Sequence, residues 1–170
     1  MKRHPWLVLV FAATVAAAAC GGGEDAATDG GDTTAMAEAP APPTLYDRLG
    51  GETALRAVVD DLVARAAADD TLNFTRQGTA AAWEATPANV ETLKQRLVQF
   101  IGHATGGPQI YGGRDMATAH AGMEITNAEF DRLAGHLRAS LTALGVGAAE
   151  QEELFAIVET TRSQIVTAGG

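Results

Sequence analysis

The 170-residue chain has a single cysteine, Cys20, so no intrachain disulfide can brace it. Basic residues are scarce: 12 Lys and Arg stand against 21 Asp and Glu, a net charge of −9. That balance argues against a nucleic-acid partner and against electrostatic adhesion to anionic lipid. There is no Cys pair, no His-x-x-x-His and no dense carboxylate–histidine cluster, which removes the usual zinc sets. No glycine-rich phosphate loop opens a helix behind a strand, and no Ser or Cys nucleophile sits in a known local motif. No repeat of solenoid length is visible, and no stretch alternates with period two long enough to read as a strand.

The first residues read as a targeting segment. Lys2, Arg3 and His4 make a basic start, and Trp6 to Ala19 is an apolar run ending in small residues. The run is too short for a comfortable membrane span and has the form of a signal peptide over residues 1–19. Ala17-Ala18-Ala19-Cys20 resembles a bacterial lipobox, with Ala17 where Leu is usual. Two outcomes fit: Cys20 as an acylated first mature residue, or an ordinary cut after Ala-x-Ala that leaves Cys20 a free thiol. A lone Cys at this junction favours the first. The expectation is an exported lipoprotein, anchored to a membrane through a lipid on Cys20 and facing the periplasm or the cell exterior. Gly21 rather than Asp follows the Cys, which is compatible with outer-membrane sorting.

Residues 20–43 are rich in Gly, Ala, Thr and Pro, with Glu24, Asp25, Asp29, Asp32 and Glu38 and no basic residue. Such a stretch cannot bury enough apolar surface to offset chain ordering, so it reads as a disordered tether. Removing Lys2 and Arg3 leaves 10 basic against 21 acidic residues, a net charge of −11.

The remainder, residues 44–168, reads as one all-α domain. Leu45 to Leu49 is a short helical turn ended by Gly50-Gly51. From Glu52 to Ala68, Leu55, Val58, Val59, Leu62, Val63 and Ala66 recur at i, i+3, i+4, i+7 and define one apolar face. Thr86 and Pro87 suit the cap and first position of a helix striped by Val90, Leu93, Leu97, Phe100, Ile101 and Ala104. Gly106-Gly107-Pro108 stops it. Thr126-Asn127-Ala128-Glu129 forms a capping box ahead of Phe130, Leu133, Leu137, Leu141 and Leu144. A last helix is expected from Ala148 to about Val166, with Leu154, Phe155, Ile157, Val158 and Ile165 inward. Between Thr105 and Thr126 lies a long connection with at most a turn or two of helix. Connections of that length in a small domain are usually functional or disordered, and Tyr111, Arg114, Met116 and His120 look too specific for disorder.

Three histidines in the domain are candidate ligands. His103 ends a helix and suits its C-terminal dipole. His136 lies mid-helix, where a hydrogen-bonded structural role is the commoner one. His120 sits on a short glycine-bounded segment with Met116 one turn before and Met123 just after. A neutral imidazole is the commonest side chain for binding a transition metal or a haem iron. Spacing alone leaves His120 equally open to plain core packing. No C-x-x-C-H motif is present, so any haem would be held non-covalently.

From Leu45 to about Val166 the chain resembles a group I truncated haemoglobin. The resemblance is carried by Leu45-Tyr46-Asp47-Arg48-Leu49-Gly50-Gly51, by Gly106-Gly107-Pro108 with Tyr111 and Gly113, by Met116 to His120, and by Phe130-Asp131-Arg132-Leu133-Ala134-Gly135-His136-Leu137. It implies a two-on-two helical sandwich around haem b, with His120 as the proximal iron ligand and the helix from Val90 to Ala104 on the distal side. Met116 would pack on the proximal face, Leu137 and Val158 would line the pocket, and Phe100 and Ile101 would face the distal side. Arg96 would pair with a propionate or remain a solvated arginine.

The chain departs from the family pattern where a Tyr on the second helix and a polar residue on the distal helix are common. Val63, Leu93 and Leu97 stand there instead, all apolar. Phe74 corresponds to the aromatic after the second helix, and the loop from it to Trp83 is rearranged. A hydrogen bond to a charged acceptor is worth about 1.5–3 kcal/mol, so a pocket without a donor should release dioxygen quickly and tolerate carbon monoxide and nitric oxide. Trp83 or Tyr46 could supply a donor from outside these positions. The resemblance thus implies reversible binding of dioxygen, nitric oxide or carbon monoxide. Nitric oxide dioxygenation or a peroxidase-like activity would need a reductase partner, of which the sequence shows nothing. Two rival readings stay open: a haem-free helical interaction module, and a haem carrier.

Overall fold

Thr44 opens the first helix by a reciprocal cap: its hydroxyl accepts from the Asp47 N–H at 3.2 Å, and the Asp47 carboxylate accepts from the Thr44 N–H at 3.0 Å. The computed structural model describes residues 41–168. The expected signal peptide, Cys20 and nearly all of the tether lie outside the described residues. Seven helices follow in order among the described residues: α1 Leu45–Arg48, α2 Gly51–Ala67, α3 Pro87–Ala104, α4 Met116–His120, α5 Asn127–Ala143, α6 Ala148–Glu159 and α7 Arg162–Ile165. None is long and apolar enough to cross a membrane.

Gly50 has φ 94, and a Cβ there would lie 2.8 Å from the Ala54 Cβ. Only glycine makes that reversal from α1 into α2 without strain. α2 is the central helix, and α3 and α5 both pack on it. Its buried residues are Leu55, Val58, Val59, Leu62, Val63 and Ala66, the face read from the sequence. They meet Val98 and Ile101 of α3, Leu137 and Leu141 of α5 and Leu154 of α6 in one core. Each such aliphatic side chain contributes roughly 1.5–3 kcal/mol on burial. Lys94 of α3 reaches Asp60 of α2 at 2.8 Å, tying the pair at the surface.

Three local expectations are corrected. The sealed residues of α3 are Val98, Ile101 and Gly102, and of the expected stripe Val90, Leu97 and Phe100 are only half-buried against the same core. Leu133 of α5 and Leu144, which caps its C-terminus, are 41% and 48% exposed rather than inward, because they sit at the edge of the face that Leu137 and Leu141 define. The last helix breaks at Thr160 and Thr161. Their hydroxyls donate back to the carbonyls of Ile157 and Val158 at 2.6 and 2.7 Å, and α7 starts in a new direction. α7 then packs on α4, and the N–H groups of Thr167 and Ala168 both donate to the Ile125 carbonyl at 3.1 Å.

Candidate functional site

Asp115 caps α4, its carboxylate accepting the Thr118 N–H at 2.9 Å. That backbone bond, with the Thr118 side chain second, holds the Asp115 carboxyl below its usual range. The cap fixes a helix of little more than one turn, and His120 ends it. The His120 Nδ1 lies 2.8 Å from the Met116 carbonyl oxygen. A carbonyl can only accept, so Nδ1 carries the proton and Nε2 keeps its lone pair. No hydrogen bond engages Nε2 among the described residues. An imidazole oriented and polarised through one nitrogen, with the other free, is the arrangement metal-ligating histidines use. No group of three or more His, Cys, Asp or Glu that could hold a metal ion occurs among the described residues.

Several apolar side chains of α3, α4 and α6 are left half-buried. On α3 they are Val90, Leu93, Leu97 and Phe100; on α4, Met116; on α6, Val158. α3 packs on α2 and α4 packs on α7, with no substantial packing of α3 against α4. Val63, Ile101 and Leu137 are sealed in the core behind these faces. A large flat apolar group would complete the burial of both faces, and a haem has that form.

The chain between α3 and α4 is held in place by its own contacts. Tyr111 meets Phe100 edge to face at 5.5 Å, and its hydroxyl donates to the Arg114 carbonyl at 2.8 Å. Gly113 admits the Tyr111 ring, since a Cβ there would lie 2.4 Å from it. Arg96 Nη1 comes to 4.0 Å from the position of a Cβ on Gly112. Arg96 and Arg114 are both exposed. They have no carboxylate partner among the described residues, whereas Arg48, Arg56, Arg65, Arg76, Lys94, Arg132, Arg138 and Arg162 each do. In an acidic protein, two unpaired guanidiniums reaching the same loop suit a ligand that brings its own carboxylates.

The other histidines are occupied. His136 Nε2 lies 2.7 Å from Asp69, which also binds Arg132 and Thr71. His103 Nδ1 faces the Gln109 carbonyl at 3.3 Å. Two surface concavities lie away from His120, one between Arg48 and Gly147 and one around Asp69 and His136.

The profile of the family described as bacterial-like globin matches residues 44–167. The chain belongs to the truncated globins. It is 36% identical over 126 residues to the group 1 truncated haemoglobin GlbN of Mycolicibacterium paratuberculosis, covering 74% of this chain and 86% of that one. The crystal structure of the truncated haemoglobin of Tetrahymena pyriformis in its Fe(III) form superposes with a TM-score of 0.63 at 30% identity, over 73% of this chain and 98% of the other. A group II truncated haemoglobin of Bacillus anthracis shares the fold, with a TM-score of 0.65 at 20% identity over 77% of this chain and 96% of that one. The architecture is the two-on-two globin sandwich, and haem iron is the cofactor of this truncated globin.

The residues present fit that group. One free imidazole nitrogen, two half-buried apolar faces and two unpaired arginines answer to an iron, a porphyrin and a pair of propionates. Sequence reasoning did not set Arg114 beside Arg96 as an arginine without a carboxylate partner. It also missed Arg76, buried and ion-paired to Glu129. Neither position carries a local signal: what marks Arg114 is that no ion pair to it forms among the described residues, although Asp115 follows it, because that carboxylate caps α4. Of Trp83 and Tyr46, the two candidate donors for a distal ligand, Trp83 is engaged elsewhere, donating to the Phe74 carbonyl, while the Tyr46 hydroxyl accepts the Gln109 amide at 2.9 Å.

Proposed function

We propose that this truncated globin holds haem non-covalently through His120 Nε2 and binds a diatomic gas reversibly in an apolar distal pocket. When bound, haem iron supplies an open coordination position that takes dioxygen, nitric oxide or carbon monoxide. The observation that carries the reading is the Nδ1 bond from His120 to the Met116 carbonyl, which fixes the tautomer and aims the lone pair of Nε2 outward. Met116 and Val158 supply apolar contact on the imidazole's side, and Leu93, Leu97 and Phe100 on α3 exclude water opposite, with Val63, Ile101 and Leu137 behind them. Phe74 closes the end next to the α2–α3 connection. Arg96 and Arg114 hold the propionates in solvent at the rim.

Absorption spectra of the purified full chain, oxidised and reduced, test the reading. A Soret band that His120→Ala abolishes or grossly changes supports it. Protein supplied with ample haem that shows no Soret band, or a spectrum that His120→Ala leaves untouched, sinks it.

The apolar trio of Val63, Leu93 and Leu97 favours gases that need no hydrogen bond, and makes dioxygen a fast-leaving ligand. The N-terminal 19 residues serve as an export signal in this proposal, and a lipid on Cys20 holds the domain at a membrane through the acidic tether.

A further inference from the structure

The α2–α3 connection contains a buried cation. Arg76 is 6% exposed and adopts a left-handed backbone with φ 55. Its three donor groups are all used. Nε donates to the Asn73 carbonyl at 2.7 Å, Nη1 to the Met123 carbonyl at 3.0 Å, and Nη2 to the Glu129 carboxylate. Glu129 is the third residue of α5, and its other oxygen takes the Thr126 N–H and hydroxyl, both at 3.0 Å. Met123 in turn donates its N–H to the His120 carbonyl at 3.1 Å. One guanidinium therefore joins the connection before α3 to the segment just past His120 and to the start of α5.

The rest of the connection follows the same path. The Trp83 backbone N–H donates to the Thr75 carbonyl at 3.0 Å, closing residues 75–83 into a loop, and the Trp83 ring rests on Phe74. At the loop's other side Ala80 and Ala81 lie against Gly122, where an added Cβ would come within 3.4 Å of the Ala80 Cβ. Two non-glycine residues among those described have positive φ, Arg76 and Glu124, and both sit at this junction. Strained backbone persists where its surroundings over-determine it. Here the surroundings are the guanidinium and its three acceptors.

We propose that Arg76 is a positioning residue for haem: by pinning the Met123 carbonyl it makes residues 73–83 a strap that fixes the segment carrying His120 and retards cofactor loss. The proposal rests on His120 as the iron ligand. Breaking a buried pair leaves a stranded charge, so an effect through the Met123 pin must be told apart from one through Glu129 alone.

The test uses the full chain loaded with haem, as wild type, Arg76→Met, Arg76→Lys, Arg76→Met with Glu129→Gln, and His120→Gly. Two quantities are read: the rate of haem transfer to excess apo-acceptor globin, and the iron–imidazole stretching band of the reduced protein by resonance Raman. Arg76→Met should lose haem about 10- to 100-fold faster, the usual cost of removing an outer-shell partner, and should shift or broaden the iron–imidazole band. Arg76→Lys should fall between. The double variant strands no carboxylate, and its side-chain amide keeps the cap on α5, yet it should remain fast because nothing holds Met123. A wild-type rate and band in Arg76→Met overturn the proposal. So does a return to the wild-type rate in the double variant, which would assign the effect to Glu129. If Arg76→Met does not fold, the double variant decides by the same criterion. Absence of any iron–imidazole band in the wild type, with a spectrum unaltered by His120→Gly, removes the ligand assignment itself and this proposal with it.

Discussion

Trp83 donates its indole N–H to the backbone carbonyl of Phe74 at 3.0 Å, and the two rings meet edge to face at 5.3 Å. A donor used in this way reaches a gas ligand only by giving up a partly buried hydrogen bond. Tyr111 likewise donates to the Arg114 carbonyl, and the Tyr46 hydroxyl is held by the Gln109 amide that it accepts. On the proposed reading the distal side is left to Leu93, Leu97 and Phe100.

Leu97→Gln should therefore change ligand kinetics sharply. Leu97 is half-buried, so an amide of similar length fits without overpacking. A hydrogen bond to a partly charged acceptor should slow dioxygen dissociation roughly 10- to 100-fold. Stopped-flow displacement by carbon monoxide measures it, and an unchanged rate contradicts the apolar-pocket reading. Val63→Tyr is the poorer probe, because Val63 is sealed in the core and overpacking there costs about 1–3 kcal/mol.

Arg96→Ala and Arg114→Ala should each quicken haem loss by a factor of up to about 5, the scale of an exposed ion pair of 0.2–1 kcal/mol. Salt should narrow the gap between wild type and variants, since exposed pairs are screened. A difference that persists unchanged at about 1 M salt, where the screening length is only a few ångströms, would show that these arginines act through packing rather than charge.

The Asp69 carboxylate gives a pH signature. Arg132 first, then Thr71 and His136, hold its carboxyl far below the ordinary range. A carboxyl depressed in the folded state binds fewer protons than in the unfolded chain, so its stabilisation is complete above the unfolded value of about 3.9 and fades as pH falls below that. Asp69→Asn should lower stability at neutral pH and flatten the decline below about pH 4. Urea melts from neutral to acidic pH check this, and parallel profiles for the two proteins would contradict it.

Cys20→Ser tests the anchor. Wild-type chain in its native export pathway should incorporate labelled fatty acid and sediment with membranes, and the variant should do neither. Unlabelled wild-type protein in the soluble fraction would overturn the lipoprotein reading.

Local signals told a good deal in advance. The caps at Thr86 and Thr126 and the buried face of α2 stand where the sequence placed them, because caps and periodicity act over three or four residues. The face of α3 was harder. The stripe read from sequence left out Val98 and Gly102, which are sealed, while its own Val90, Leu97 and Phe100 are only half-buried against the core. The break at Thr160 was hidden because whether a threonine hydroxyl turns back onto the helix carbonyls or out to solvent is not written in the sequence. Arg76 was invisible for a different reason: its partners Met123 and Glu129 lie 47 and 53 residues away. His120 was legible as a residue type in an unusual setting, and its bond to Met116 needed coordinates.

Between Ala41 and Ala168 the side chain of Lys94 is the sole primary amine, and it lies on the outer surface of α3 against Asp60. A two-armed amine-reactive reagent has one attachment point in that stretch and cannot bridge within it. Any cross-link with both ends in that stretch joins two molecules, so the dimer band on a gel would report whether this globin self-associates.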